Sequence, residues 1–378
     1  MNKIVVAIDS FKGSLSSREA DEAAEQGIKT IFPQCEVLHF PVADGGEGIL
    51  EILTDAFHGH TVPLVAHNPL MQKITTQFGI SEDGRTALVE MARISGLPLL
   101  PPSRRNPMLT TSYGLGEIIA EALNKGCRHF IIGIGGSATN DGGIGMLQAF
   151  GYQFLDKNRK DVGKGVAALG KVEMIIADKV NPLISKIKFQ VACDVDNPLY
   201  GEKGATYIFG AQKGVTDEMK PLIDNDMKHF ADKTKEKLGV SCEDIPGAGA
   251  AGGLGFALLS YLNAELTPGA ELVMQLTDME DKIKNSDIVI TGEGQLDSQT
   301  VMGKAPIGVA GLAKKYDKKV IAFAGSISAD AAICNENGID AFFPIVRGVT
   351  TLEEAMKKEN AIKNMELAVE QVFRVIVL

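Results

Sequence analysis

Carboxylates, a lysine and small residues recur directly after apolar segments of this sequence, a combination suited to phosphoryl transfer. The longest such segment, residues 133–143, reads GIGGSATNDGG and follows an apolar stretch. Glycine lets main-chain N–H groups approach an anion closely, and the start of a following helix adds unpaired N–H groups and partial positive charge. The predicted phosphate- or nucleotide-binding residues are Gly135, Gly136, Ser137, Ala138, Thr139, Asn140 and Asp141.

Charged residues also stand in the other turns of this kind. Lys12 lies in DSFKGS at 9–14, where its ammonium would offset charge near a transferring phosphoryl group. Asp194 and Asp44 are the leading candidates for the general base that accepts a hydroxyl proton. Asp194 and Asp196 also form a predicted Mg²⁺ pair, because alternation along an extended strand would point both the same way. The predicted substrate-binding residues are Ser14, Glu47, Glu293 and Asp297.

The 133–143 turn supports a rival interpretation. Gly133, Gly135 and Ala138 match a GxGxxA dinucleotide fingerprint, and Asp156 follows about 20 residues later as a candidate ribose ligand. A dehydrogenase that uses NAD is therefore one alternative, and a non-catalytic anion-binding protein is a second. Asp141 weighs against the dehydrogenase, because its carboxylate would face a pyrophosphate. The acidic residues at the strand ends weigh against a pure anion binder.

A kinase built on this sequence needs a scaffold other than the P-loop. Gly303-Lys304 is followed by Ala305 where a Walker A motif has Ser or Thr, and the upstream glycine spacing does not match. The signatures of protein kinases are also missing from the sequence.

Strands and helices alternate at both ends of the chain. Residues 3–8 predict a buried parallel strand, and Ser17 is a candidate cap for a helix over 18–31. A second strand is predicted at 36–42, and the same rhythm returns from residue 287 onward. This pattern predicts an α/β fold with parallel strands, whose ligands bind beyond the carboxyl ends of those strands.

The middle of the chain differs from its ends. Alternating segments flank the turn at 82–85, which predicts a β-hairpin, and a strand is expected to run into Cys193-Asp194-Val195-Asp196. We therefore expect two domains: a discontinuous one formed by residues 1–62 plus 286–378, and an inserted one formed by 63–285 that carries the GGSATNDGG turn.

Composition narrows the set of partners. The net charge of −10 and the pI of about 5.2 disfavour both nucleic acid and anionic membranes as partners. No stretch approaches the roughly 18 apolar residues that a membrane span needs. The five cysteines are scattered without a CxxC motif, which favours a reduced, cytoplasmic protein.

Taken together and in order, six segments resemble the bacterial glycerate kinase family, the type-one family that is unrelated to P-loop kinases. They are DSFKGSLS at 9–16, PVADGGEG at 41–48, GIGGSATNDGG at 133–143, CDVDNPL at 193–199, GAGAAGGLG at 247–255 and TGEGQLDSQT at 291–300.

The resemblance implies ATP- and Mg²⁺-dependent phosphorylation of D-glycerate to 2-phosphoglycerate, within glycerate, glyoxylate and organic acid catabolism. Phosphorylation to 3-phosphoglycerate is the alternative. The resemblance also implies a Rossmann-like domain formed by both chain ends and an inserted flavodoxin-like middle domain. We expect ATP and D-glycerate to meet in a cleft between the two domains, and we allow for a homodimer.

Overall fold

The computed structural model describes residues 1–42 and 48–377, and within them the chain is a mixed α/β protein. In chain order the strands are β1 (Lys3–Ile8), β2 (Glu36–His39), β3 (His60–His67), β4 (Lys73–Ile80), β5 (Thr86–Glu90), β6 (His129–Gly133), β7 (Gln153–Leu155), β8 (Met174–Ile176), β9 (Lys188–Ala192), β10 (Glu265–Thr267), β11 (Ile288–Leu296), β12 (Lys319–Ile327) and β13 (Ala341–Pro344).

The α-helices follow the same order. They are α1 (Ser17–Ile31), α2 (Ile49–Ala56), α3 (Ala92–Ser95), α4 (Tyr113–Asn124), α5 (Ile144–Ala149), α6 (Ala205–Phe209), α7 (Lys220–Leu238), α8 (Ala250–Leu262), α9 (Gly269–Leu276), α10 (Met279–Lys284), α11 (Ala305–Lys314), α12 (Ile333–Glu336), α13 (Leu352–Met356) and α14 (Lys358–Val377). Short 3₁₀ helices span Leu97–Leu99, Pro102–Arg104, Val166–Lys171, Ile184–Lys186, Ala211–Lys213 and Thr300–Met302.

The described residues form two compact units. The first takes in the residues up to 42 and those from Pro268 onward, and the second runs from residue 48 to Thr267. Boundaries at 62/63 and 285/286, as expected from the sequence, do not match this division. The first would cut through β3, which is one continuous strand, and the second would detach α9 and α10 from the core of the first unit, to which they contribute Ala270 and Met279.

The first unit is built on a five-stranded parallel sheet with the order β13-β12-β11-β1-β2. Counted within this unit alone, the strand order is 2-1-3-4-5, one of the two common orders of a doubly wound sheet. Ile8 of β1 pairs with Gly292 of β11, and the order reverses between these two strands. Their carboxyl ends therefore form the switch point at which such sheets bind ligands.

Apolar side chains cover both faces of this sheet. Ile4 and Val6 of β1 face one core with α1 and α14, whereas Val5 and Ala7 face the other core with α10 and α11. A strand buried on both faces reads as a continuous apolar run, and β1 is the strand predicted at 3–8. The helix predicted at 18–31 is α1, but its cap is Ser16, which forms a capping box with Glu19.

The second unit holds a six-stranded mixed sheet with the order β10-β9-β6-β5-β4-β3. Its strands from β5 to β10 pair in parallel, whereas β4 is antiparallel to both β3 and β5. The hairpin predicted around residues 82–85 is confirmed as β4 and β5. One hydrophobic core takes in alternate residues of the central strands, among them Val89 of β5, Ile132 of β6 and Val191 of β9, and β7 and β8 form a separate two-stranded sheet.

The two strand orders do not match the domain types that the resemblance implied. The order 2-1-3-4-5 is typical of flavodoxin-like folds, which we expected for the middle domain, and it occurs in the first unit instead. The larger sheet of the second unit runs sequentially from one edge to the other. Among the described residues, no helix combines the length and apolar character needed to cross a membrane.

Candidate active site

Two glycine-rich segments lie side by side at the switch point of the first unit. The main-chain N–H of Asp9, just after β1, donates to the carbonyl oxygen of Gly292 at 2.9 Å. Farther along the same segments, a β-carbon on Gly294 would lie 3.7 Å from the α-carbon of Phe11. The segments DSFKGS and GEGQLD are therefore adjacent along the ends of neighbouring strands.

Lys12 and Ser14, both predicted site residues, lie at this switch point. Lys12 is exposed, and Ser14 is half-buried with its main-chain N–H donating to the carbonyl oxygen of Phe11 at 2.7 Å. The Ser14 Oγ is buried and has no hydrogen-bond partner among the described residues. Gly13 between them has a φ of +79°, which suits glycine because a side chain there would be strained.

Glu293 carries a buried carboxylate that two neighbouring side chains hold in place. Thr300 Oγ1 donates to Glu293 Oε1 at 2.7 Å, and Lys304 Nζ donates to Oε2 at 3.1 Å. Lys304 also lies 3.9 Å from a carboxylate oxygen of Asp297. Burial raises the pKa of Glu293, while Thr300 and Lys304 act in the opposite direction. The two predicted residues Glu293 and Asp297 are thus brought together around one lysine.

In the second unit, the GGSATNDGG turn is exposed at its start and buried from Ser137 onward. Gly135 is half-buried and Gly136 exposed, whereas Thr139, Asn140 and Asp141 are fully buried. The N–H of Ala138 donates to the carbonyl oxygen of Ser95 at 2.8 Å, so that donor is not available to an anion here. A ligand can reach this turn first at Gly135 and Gly136, and contact with the buried members stays a prediction.

Asp141 holds the turn against the start of two helices. Its Oδ2 accepts hydrogen bonds from the N–H and the Oγ of Ser112 at 2.8 and 3.0 Å, and from the N–H of Gly145. Its Oδ1 accepts from the N–H of Gly143. Burial raises the pKa of Asp141, and the donors from Ser112 oppose that rise. These contacts indicate that Asp141 organises the turn, and its contact with a nucleotide stays a prediction.

A second glycine-rich segment, 247–255, packs directly on this turn. Ala251, Gly252 and Gly253 have φ values of 52°, 69° and 87°, which interrupt the first turn of α8. A β-carbon on Gly252 would overlap the carbonyl oxygen of Thr139, and one on Gly253 would lie 2.8 Å from the α-carbon of Gly142. Only glycine permits this backbone-to-backbone contact, so the two motifs depend on each other for their shape.

The CDVDNPL segment contacts the glycine-rich segment 247–255. The N–H of Gly249 donates to the carbonyl oxygen of Asn197 at 2.9 Å. Asp194 and Asp196 are both exposed, but β9 ends at Ala192, before either of them. The strand does not continue as the alternation argument required, so their common direction stays a prediction.

Asp44 and Glu47, predicted as a general base and a substrate ligand, lie outside the described residues. Glu90, which the sequence did not single out, contacts the start of the helix that follows this segment in the sequence. Its Oε2 accepts hydrogen bonds from the N–H groups of Gly48 and Leu50 at 3.1 and 3.4 Å, where α2 begins. Burial raises the pKa of Glu90, and the guanidinium of Arg93 counteracts this.

Lys213 is the other functional candidate that sequence reasoning missed. It is 2% exposed, and its Nζ donates to Ser137 Oγ and to the carbonyl oxygen of Thr139, both at 2.8 Å. Burial lowers the pKa of Lys213 to about 7, while the charge of Asp141 acts in the opposite direction. The one signal in the sequence was its position in FGAQKGV at 209–215, a lysine among small and apolar residues.

Magnesium needs few protein ligands when phosphates and water complete its shell. Among the described residues no group of three or more His, Cys, Asp or Glu side chains is placed to hold a metal. Asp194 and Asp196 offer two exposed oxygen donors, which fits an ion that arrives with a nucleotide and does not fit a closed protein site.

The dehydrogenase alternative does not fit the topology. A dinucleotide fold needs the strand after the glycine-rich turn to return to the same sheet. Here β6 and α5 are followed by β7, which pairs with β8 in a separate two-stranded sheet. Asp156 binds the N–H groups of Asn158 and Lys160 in an exposed turn next to β7.

Comparison with known proteins identifies the family. A model of the "Glycerate kinase family" matches residues 4–377. The chain is 50% identical over 364 residues to the "Glycerate kinase" of Bacillus subtilis (strain 168), covering 96% of this chain and 95% of that protein. It is 46% identical over 355 residues to the "Glycerate 2-kinase" of Escherichia coli (strain K12), covering 94% of this chain and 93% of that protein.

A solved structure agrees with these sequence matches. The crystal structure of a candidate glycerate kinase 2 from Salmonella typhimurium LT2 superposes with a TM-score of 0.89 at 42% sequence identity, covering 100% of this chain and 98% of that chain. The sequence matches span nearly the whole chain and include all six segments on which the resemblance was based. The chain therefore belongs to the glycerate kinase family.

Proposed function

We propose that this protein is a glycerate kinase that transfers the γ-phosphoryl group of ATP to the 2-hydroxyl of D-glycerate, forming 2-phosphoglycerate and ADP. The observation that carries the proposal is the match over 94% of the chain to the E. coli protein named glycerate 2-kinase. The 3-hydroxyl, which would give 3-phosphoglycerate, is the alternative acceptor. Either reaction makes the protein a phosphotransferase with an alcohol group as acceptor.

The switch point of the first unit supports a role in handling the substrate and the transferring group. Lys12 is exposed there, and its ammonium would offset negative charge on the phosphoryl group. We assign Ser14, Glu293 and Asp297 to D-glycerate, because an unpartnered hydroxyl and acidic oxygens suit the hydroxyl groups of a sugar acid. Glu47 belongs to the same predicted set.

We assign the start of the GGSATNDGG turn to a phosphate or carboxylate oxygen. The accessible Gly135 and Gly136 would supply main-chain groups, and the buried residues from Ser137 to Asp141 belong to the same predicted binding turn. Asp194 is the leading candidate to accept the proton of the glycerate hydroxyl, with Asp44 as the alternative. Phosphoryl transfer depends mainly on such positioning and on neutralised charge.

Asp194 and Asp196 are also the residues that would hold Mg²⁺. When it is bound, the ion neutralises charge on the nucleotide phosphates. A cytoplasmic location and assembly as a homodimer are further parts of the proposal. The five cysteines are all free, which suits a reducing compartment. Sedimentation equilibrium of the purified protein would test the dimer.

The proposed reaction is tested by incubating the protein with D-glycerate, ATP and Mg²⁺ and recording ³¹P NMR spectra. We expect ADP together with the signal of 2-phosphoglycerate, in amounts that depend on added glycerate. The spectrum separates the two phosphoglycerates, so it also decides between the two hydroxyls. ADP formation that is the same with and without glycerate would contradict the proposal.

A further inference from the structure

Within residues 1–42 and 48–377, two buried hydrogen-bond donors beside the GGSATNDGG turn have no acceptor. A protonated lysine carries three N–H donors and no acceptor, and Lys213 uses two of them on Ser137 Oγ and Thr139 O. Because Lys213 donates to Ser137 Oγ, the hydroxyl hydrogen of Ser137 must point away from it. Among the described residues, that hydroxyl donates to no acceptor, and the third N–H of Lys213 also lacks one.

Leaving buried donors unmatched is costly, typically by a factor of ten or more in the folding equilibrium. Lys213 is 2% and Ser137 6% exposed, so bulk water reaches these donors poorly. Ser137 directly follows Gly136, which is exposed and has a φ of +70°. The unmatched hydroxyl therefore stands at the border between the buried and the open part of the turn.

We propose that Ser137 donates its hydroxyl hydrogen bond to an oxyanion of a substrate, and that Lys213 is the positioning residue that fixes this direction. This inference rests on the proposed function and adds two residues' roles to it. The oxyanion is a phosphate of the nucleotide or the carboxylate of glycerate, since both present the same acceptor.

The surroundings of Lys213 favour a function that depends on its charge. Asp141 on the same turn is the acidic group whose charge acts on it. Arg105 is a second charged residue nearby, and its guanidinium donates to the carbonyl oxygen of Gln212, the residue before Lys213, at 3.3 Å. Since burial brings the pKa of Lys213 to about 7, a bound anion would favour the charged form.

The test compares S137A, K213M, the double variant and K213R in the glycerate-dependent ADP assay. We expect S137A and K213M each to raise the KM of the same substrate about 10- to 100-fold. The double variant should be scarcely worse than either single one, because the two residues act together. K228M is the matched control, since Lys228 is an exposed lysine of α7 in the same unit.

A rise in the KM of ATP identifies a phosphate as the ligand, and a rise in that of D-glycerate identifies the carboxylate. Unchanged KM values for both substrates in S137A would overturn the proposal, as would effects that simply add in the double variant. If K213M does not fold, S137A keeps the test intact, because it leaves the lysine in place.

Ligand-induced thermal stabilisation gives a readout that does not need activity. ADP, D-glycerate and inorganic phosphate serve as probes at pH 6.5 and pH 8.5. We expect one of these probes to raise the melting temperature of the wild type more at pH 6.5 than at pH 8.5. The same probe should stabilise K213R equally at both pH values and K213M little at either. Equal stabilisation of wild type and K213M overturns the inference. A wild type that forms no ADP with glycerate overturns the proposed function instead.

Discussion

Gly142 donates its main-chain N–H to the carbonyl oxygen of Gly252 at 2.9 Å, and this bond joins two glycine-rich segments of the second unit. Both residues have positive φ values, 61° and 69°, so the contact uses conformations that other residues adopt at a cost. The fold thus brings together segments more than a hundred residues apart in the chain to shape one turn.

The substitution G252A should destabilise the protein by several kcal/mol. A left-handed alanine costs about 1–2 kcal/mol, and overpacking against the Thr139 carbonyl adds about 1–3 kcal/mol. Urea unfolding measures the loss. G239A is the control, because Gly239 has a φ of +73° at the end of α7 but nothing within 4 Å of its β-carbon position. Equal losses in both variants would show that the contact with Thr139 contributes nothing.

The sequence predicted the strand ends of the first unit well. β1 reads as an uninterrupted apolar run because both of its faces are buried, and its end at Ile8 puts the Asp9–Lys12 region where a ligand would bind. The pairing of β1 with β11 joins residues about 280 positions apart. That the ends of β1 and β11 lie side by side could be expected only from the rule that the carboxyl ends of parallel strands meet at one edge of the sheet.

The burial of single charged residues was not predictable in the same way. Glu90 ends strand β5 and Lys213 lies in a short 3₁₀ helix, and in neither place does the local sequence indicate that tertiary contacts bury a charged side chain. The strand before Asp194 was expected to continue, but β9 ends at Ala192. Ala192 is the last residue of β9 that pairs with β10. Contacts of this kind depend on distant segments, which a local pattern does not contain.

Asp194→Asn should lower kcat by at least about 100-fold, because an amide cannot accept the proton of the glycerate hydroxyl. The coupled ADP assay measures this at saturating ATP and glycerate. D232N is the control, since Asp232 is an exposed acid of α7. Wild-type activity in D194N would remove Asp194 from the mechanism and leave Asp44 as the proton acceptor.

Glu293→Gln should raise the KM of D-glycerate about 10-fold, because it removes the charged acceptor that Thr300 and Lys304 hold in place. The native pKa of Glu293 lies above its ordinary value of 4.5, so the native state holds this proton more tightly than the unfolded chain. The contribution of Glu293 to the free energy of unfolding therefore falls as pH rises from about 4.5 through the higher native pKa.

Urea titrations between pH 4 and 7 check this dependence, with E336Q as the exposed control. The decrease in the free energy of unfolding with rising pH should be smaller in E293Q than in the wild type. An unchanged KM for D-glycerate in E293Q would mean that the Glu293 carboxylate stabilises the loop and does not bind the substrate.

Glu90→Ala should weaken the start of α2, because it leaves the N–H groups of Gly48 and Leu50 without their carboxylate. We expect a loss of about 1–3 kcal/mol in the free energy of unfolding. The KM of a substrate should also rise, since α2 follows Asp44 and Glu47 directly in the sequence. E51A is the control, as Glu51 is an exposed partner of the same Arg93. Losses of equal size would argue against a special role for Glu90.

The ionisation of Lys213 should be visible in the stability of the whole protein. Burial lowers its pKa in the native state to about 7, from an ordinary value of 10.5. Between these two values the unfolded chain keeps the proton that the native state has released. The unfolded state then binds more protons, so the contribution of Lys213 to the free energy of unfolding rises with pH and levels off above 10.5.

The measurement is the difference in the free energy of unfolding between wild type and K213M, taken by urea titration from pH 6 to 10. Groups common to both proteins cancel, and burial of Lys213, opposed by the charge of Asp141, sets the lower end of the pH window. The difference should rise in favour of the wild type above pH 7, by up to about 1.4 kcal/mol per pH unit. K228M, which alters an exposed lysine, should give a flat difference. A flat difference for K213M as well would mean that the buried amine keeps its proton throughout, and that Asp141 outweighs the cost of burying the charge.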